Sequence, residues 1–141
     1  MKQKIIQLFL RIAVATAFLS AVADRFGLWG KNAAWGNWEN FLEYSNTLNF
    51  YAPEILKEPM AVTATVLELA FALLLLIGFK TKIIANLSGL LLIIFAVTMT
   101  FSLGIKSTFD YSVWISAGAC FLLGNVDKYD FSLDKYLANG K

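Results

Sequence analysis

Residues 60–79 read MAVTATVLELAFALLLLIGF, an apolar run whose single charge is Glu68. A helix needs about 20 mostly apolar residues to cross the hydrocarbon core of a bilayer, and this stretch has that length. Three runs of the same kind surround it. Residues 5–23 precede it with Arg11 as the one charged interruption, residues 83–105 follow without any charge, and residues 109–126 form the fourth. The chain has 141 residues, of which 58% are hydrophobic and 16% charged, against the roughly 45–50% apolar share of soluble domains. Its mean hydropathy is +0.62. The expected fold is therefore all-α: a four-helix transmembrane bundle forming one domain over residues 1–141. Its spans fall at about 5–25, 60–79, 82–105 and 109–126, with a long outer loop over 26–59.

Local signals support these limits. Asp24-Arg25 closes the first span, Pro59 stands where a first-turn proline suits the start of the second, and Gly78 with Lys80 and Lys82 separates the second from the third. The first span also has the shape of a signal peptide, because Lys2 and Lys4 precede an apolar stretch ending in Ala21-Val22-Ala23. Arg11 interrupts that stretch, so the segment reads as a retained helix. Lys2, Lys4, Lys80, Lys82, Lys128, Lys135 and Lys141 would share one side of the membrane. Arg25, Lys31, Lys57 and Lys106 would share the other, beside Glu39, Glu43, Glu54 and Glu58. By the positive-inside rule both termini are expected to be cytoplasmic.

Absent residue types exclude several chemistries. The chain has no histidine and one cysteine, so zinc hydrolase, bis-His haem, Ser-His-Asp and CxxC schemes each lack a necessary part. No metal site is expected. A net charge of +2, without a basic run, excludes nucleic acid as a partner.

Polar side chains inside a membrane are costly and face the bundle interior, which makes each one a functional candidate. They collect in the outer half: Asp24 and Arg25 end span one, Thr65 and Glu68 lie on span two, Thr98 on span three, and Asp110 and Tyr111 open span four. Helical side chains lean toward their own N-terminus, so Arg25 on an outward-running helix and Glu68 on an inward-running one converge. Arg11 leans the other way and is expected to snorkel to the inner headgroups. Asp24 shares a small-residue stripe with Ala13, Ala17 and Ser20 and points inward; Asp110 compensates Arg25 or Lys106. The long loop carries Trp29, Trp35 and Trp38, and a stripe of Trp38, Phe41, Leu42, Ser45 and Leu48 describes a short amphipathic helix across the bundle mouth. Those tryptophans act either as a headgroup anchor or as a lid. The polar cluster is either a packing device or the wall of a cavity for a polar head group or quinone ring. Cys120 reads as a small hydrophobe, and the tail with Asp127, Asp130 and Asp134 as solvated.

The chain resembles the DoxX/DoxD family of small bacterial and archaeal four-helix membrane proteins. The resemblance spans nearly the whole length: Leu10-Arg11, Ala21 through Gly27, Glu68 through Lys80, Asp110-Tyr111-Ser112-Val113, and the tail Phe131-Ser132-Leu133-Asp134. Arg25 stands where many members carry lysine. The resemblance implies thiosulfate:quinone oxidoreduction or membrane thiol and oxidative-stress systems, hence a quinone as ligand and a partner redox protein. No covalent cofactor is expected, and the chain is not expected to be a complete enzyme on its own. Homo-oligomerisation, a non-enzymatic binder or transporter of a small apolar molecule, and a membrane scaffold or assembly protein remain open at this point.

Overall fold

A computed structural model describes residues 2–139, with the side chains of Lys2 and Asn139 left out. Met1, Gly140 and the tail lysine Lys141 lie outside the described residues. The described residues form seven α-helices and one short 3₁₀ turn at Gly30–Asn32. Three helices are long and apolar enough to span a membrane: α1 (Lys2–Arg25), α3 (Glu54–Ile77) and α4 (Thr81–Leu103). Between the first two lies α2 (Trp38–Leu48). The chain continues through α5 (Ile105–Asp110), a shorter apolar helix α6 (Val113–Gly124) and α7 (Leu133–Asn139).

Helices α1, α3, α4 and α6 pack in a ring, each against its neighbours in sequence and α6 back against α1. The surface tells what solvent the ring was built for. Ile5, Phe9, Val66, Leu73, Ile83, Leu90, Phe101 and Ile115 are all exposed, while Gln7, Arg11, Arg25 and Glu68 are buried. Apolar outside and polar inside is the pattern that a lipid environment rewards, since apolar side chains gain nothing there by being hidden.

The two halves of the ring differ. Toward the C-terminal end of α3 it is solid: Val14, Ala15, Phe18, Phe71, Ala72, Leu75, Ile84, Ala85, Cys120 and Leu123 form one closed cluster. At Gly89 of α4 a Cβ would meet the Phe121 ring at 2.8 Å, so only glycine lets α6 approach this closely. Toward the N-terminal end of α3 the packing is sparse, with Ala96, Met99 and Val113 as a small satellite cluster.

Two boundaries differ from the expected ones. Helix α3 begins at Glu54 after Pro53, so Pro59 lies inside it rather than in its first turn. Pro59 has no N–H to donate to Ile55 O, so it removes one backbone bond from the second turn of the helix. The fourth run, expected over 109–126, is two helices: Ser112 sits in the left-handed region at φ 54° and breaks it. Serine and aspartate side chains compete for backbone groups and favour such breaks, and Trp114 Nε1 donates to Thr108 Oγ1 across the joint at 2.7 Å. The 12 residues of α6 rise about 18 Å, short of a full span.

The tail corrects the reading of a solvated segment. Asp134 accepts from Lys80 N at 2.7 Å and Thr81 N at 2.8 Å, and thereby caps α4, whose own preceding residue Lys80 supplies no side-chain cap. Asp130 is buried and pairs with Lys135. An aspartate cap contributes about 1 kcal/mol, so Asp134→Ala is expected to lower Tm by a few degrees in circular-dichroism melts of the detergent-solubilised protein.

Candidate functional site

The sparse half of the bundle encloses a cavity of about 870 Å³, within the range of small-molecule sites. One turn pattern from each helix builds its walls. Ala17, Ser20, Ala21 and Asp24 supply the α1 wall, Met60, Thr63, Ala64 and Leu67 the α3 wall, and Leu91, Ile94, Phe95 and Thr98 the α4 wall. Such i, i+3, i+4, i+7 spacing places those residues on one stripe. Helix α2 covers the end. Asn37 caps it by accepting from Asn40 N at 2.8 Å, its Phe41 and Ser45 are buried, and Ser102 Oγ ties its last turn down through a 2.7 Å bond to Leu48 O. Phe41, Tyr44, Ser45 and Leu48 thus face the cavity. Burial pushes the pKa of the Tyr44 hydroxyl above its usual value, so Tyr44 remains a neutral O–H.

Arg25 and Glu68 form the polar point of this apolar wall. Arg25 Nη1 lies 2.5 Å from Glu68 Oε2, with both side chains 4% exposed. The same Nη1 donates to Thr65 Oγ1 at 2.7 Å, and Thr65 Oγ1 donates to Ala61 O at 2.9 Å. The guanidinium carbon sits 4.0 Å from the Phe41 ring centroid and 5.7 Å from that of Trp35, so aromatic faces cover the cation. Glu68 Oε2 is held by Arg25 Nη1, and Arg25 Nε is left without a hydrogen-bond partner among the described residues.

The other candidates separate. Asp24 lines the cavity, yet its carboxylate is engaged by the loop: Ala34 N donates at 2.7 Å, Trp35 N at 2.8 Å and Gly36 N at 3.1 Å. It shapes the cover. Asp110 is not in the cluster at all; it pairs with Lys106 at 2.6 Å, and both side chains are exposed. Tyr111 and Thr98 do line the cavity, with Thr98 Oγ1 donating to Phe95 O at 3.0 Å. Of the three lid tryptophans only Trp35 reaches the wall. Trp38 stacks on Phe26, and Trp29 donates from Nε1 to Ser20 O at 3.1 Å. A lid of three tryptophans is thus reduced to one tryptophan together with α2.

Arg11 overturns its expectation most clearly. It is fully buried, and its guanidinium donates to Leu75 O and Leu76 O at 2.8 Å each, to Phe131 O at 3.0 Å and to Asp130 O at 3.2 Å. Four carbonyls hold it in place, so it has no reason to snorkel. A signal was present in the stripe: Gln7, Arg11, Val14, Phe18, Val22 and Arg25 recur at helical spacing, and all are buried. Cys120 is buried in the solid half and does not touch the cavity. Among the described residues, no group of three or more His, Cys, Asp or Glu side chains converges on one point.

Comparison with known proteins adds one finding. The family model described as DoxX matches residues 6–103, most of the chain, covering Arg11, Arg25 and Glu68 and ending before α5. No curated protein and no solved structure matches the chain.

Proposed function

We propose that this chain, which belongs to the DoxX family, is a membrane protein that holds a quinone-class lipophile in the Arg25–Glu68 cavity and serves a partner redox protein. The observation that carries this reading is the cavity itself: mostly apolar walls with one buried ion pair, Arg25–Glu68, among them. A head group that hydrogen-bonds, attached to an apolar body, matches that distribution. The partner is part of the proposal because the residue types of the chain limit what it does alone. It has no histidine, and its one cysteine is packed in the solid core away from the cavity. Electrons would pass between the bound lipophile and the partner. We place the cavity mouth at the outer face of the bacterial inner membrane, with both termini cytoplasmic.

The test uses detergent-purified protein. Organic extraction is expected to release a quinone in near-stoichiometric amount, and decylquinone at a hundredfold excess over its Kd is expected to stabilise the protein by about 2.7 kcal/mol. That gain appears as a rise of several degrees in Tm. Protein that carries no quinone and whose Tm is unmoved by decylquinone overturns the proposal.

A further inference from the structure

We infer that the cavity is entered from within the bilayer, through a gap between the outer halves of α3 and α4, and that it takes up the apolar chain of a lipid from the surrounding leaflet. This rests on the cavity being a ligand site, as proposed above, but not on the ligand being a quinone. The other sides of the cavity are closed. Helix α2 covers the end toward water, held by its buried Phe41 and Ser45 and by the bond from Ser102 to Leu48 O. Asp24 fixes the loop beside it through three backbone amides. The inner end abuts the solid cluster, and Arg25 draws α1 against α3 through Thr65 and Glu68.

The gap follows from what the outer halves pack against. In the solid half α3 and α4 share one core through Phe71, Leu75, Ile84 and Ala85. In the outer half the satellite cluster draws on α4, α6 and the end of α2, and among the described residues it contains nothing from α3. Leu56, Met60 and Thr63 of α3 and Ile94 of α4 accordingly line the cavity and are exposed. Thr63 stands nine residues after Glu54 and Ile94 nine before Leu103, so both lie about 14 Å from the outer ends of their helices at 1.5 Å per residue. That depth falls in the hydrocarbon of a bilayer whose core is about 30 Å thick. The rim suits such a solvent. Every exposed residue of the lining is uncharged, and the three charged ones, Asp24, Arg25 and Glu68, are buried. A rim in water carries charge at little cost, whereas one in hydrocarbon does not. From Leu56 to Leu67 the cavity follows about 16 Å of α3, room for a chain to lie along it.

The experiment places the protein in phosphatidylcholine vesicles that contain a phospholipid with a diazirine midway along one acyl chain, irradiates them, and maps the adducts by peptide mass spectrometry. Adducts are expected on Leu91 and Met99, which line the cavity and are buried, as well as on lipid-facing Val66 and Leu73. Leu75 and Leu123, fully buried in the solid half, are expected to stay unlabelled. Thr63→Phe with Ile94→Phe narrows the gap at two exposed positions and is expected to abolish the Leu91 and Met99 adducts while keeping those on Val66; Ile94→Trp alone serves if the pair fails to fold. Adducts confined to the lipid-facing residues, adducts on Leu75 and Leu123 as well, or cavity adducts unchanged in the folded plugged variant each overturn the inference. Excess decylquinone added before irradiation separates the two readings. Cavity adducts that decylquinone does not reduce support the lipid route while the quinone falls, and a Tm raised by decylquinone without any cavity adduct keeps the ligand site and overturns the route.

Discussion

Glu68→Ala is expected to destabilise the bundle by about 3–5 kcal/mol, because it leaves the Arg25 guanidinium buried without its counter-charge. The side chains of the pair are 4% exposed, so water cannot take over the role of Glu68. Replacing both partners with apolar residues of similar volume, Arg25→Met with Glu68→Leu, is expected to cost far less or even to stabilise, since both desolvation penalties vanish together. Thermal denaturation of the two variants in detergent reads the contrast. The double variant then decides the purpose of the pair: a folded bundle that no longer takes up the lipophile makes the pair a binding element, and one that binds unchanged makes it a packing element. A double variant less stable than Glu68→Ala would contradict the energetic account.

Arg11→Leu is expected to produce the second large loss, also about 3–5 kcal/mol, through a different route. Leu75 O and Leu76 O belong to the last turn of α3, where carbonyls run short of partners within the helix; Leu75 O also accepts from Gly78 N at 3.2 Å. Arg11 supplies one, and its charge is favourably placed at the negative end of the helix dipole. The same guanidinium holds Asp130 O and Phe131 O, so removing it strips both the helix end and the tail. Lysine is no substitute, since a single ammonium cannot reach four carbonyls arranged around a planar fork. Gly78 is the complement of Arg11. It has φ 69°, and a Cβ there would lie 2.5 Å from Arg11 Nη2 and 2.5 Å from Ser132 Cβ. The expected readout is a fall in Tm together with faster proteolysis after Val126, because the tail loses its anchor while α7 still joins the α3–α4 turn through Asp134 N and Gly78 O. A tail that stays protected in Arg11→Leu would show that Asp134 alone holds it.

These two arginines show where the sequence was readable. The lean of helical side chains brings Arg25 and Glu68 toward each other, and their atoms meet. The same rule sends Arg11 toward the near headgroups, but the carbonyls that capture it come from α3 and from a tail 119 and 120 positions away. Lean is a property of one helix; capture depends on what the rest of the chain brings there. The partners of Asp24 and Asp110 are legible only in part, for the same reason. A loop backbone claims the first, and the joint between α5 and α6 turns the second outward to Lys106. The tail's Asp134 is legible as a capping residue type, but its target lies more than 50 positions away.

Hydropathy alone determined that this is an all-helical membrane protein, because burying or exposing 20 apolar residues is a matter of solvent and needs no partner. Composition determined that this chain offers no imidazole, since no fold can supply a missing histidine. Only the tertiary structure decided that one half of the bundle is solid and the other hollow, that Ser112 breaks the fourth run, and that one arginine clamps the tail while the other faces the cavity. Each of those depends on contacts between residues far apart in the chain, where a difference of a few ångströms separates a satisfied buried charge from an open one.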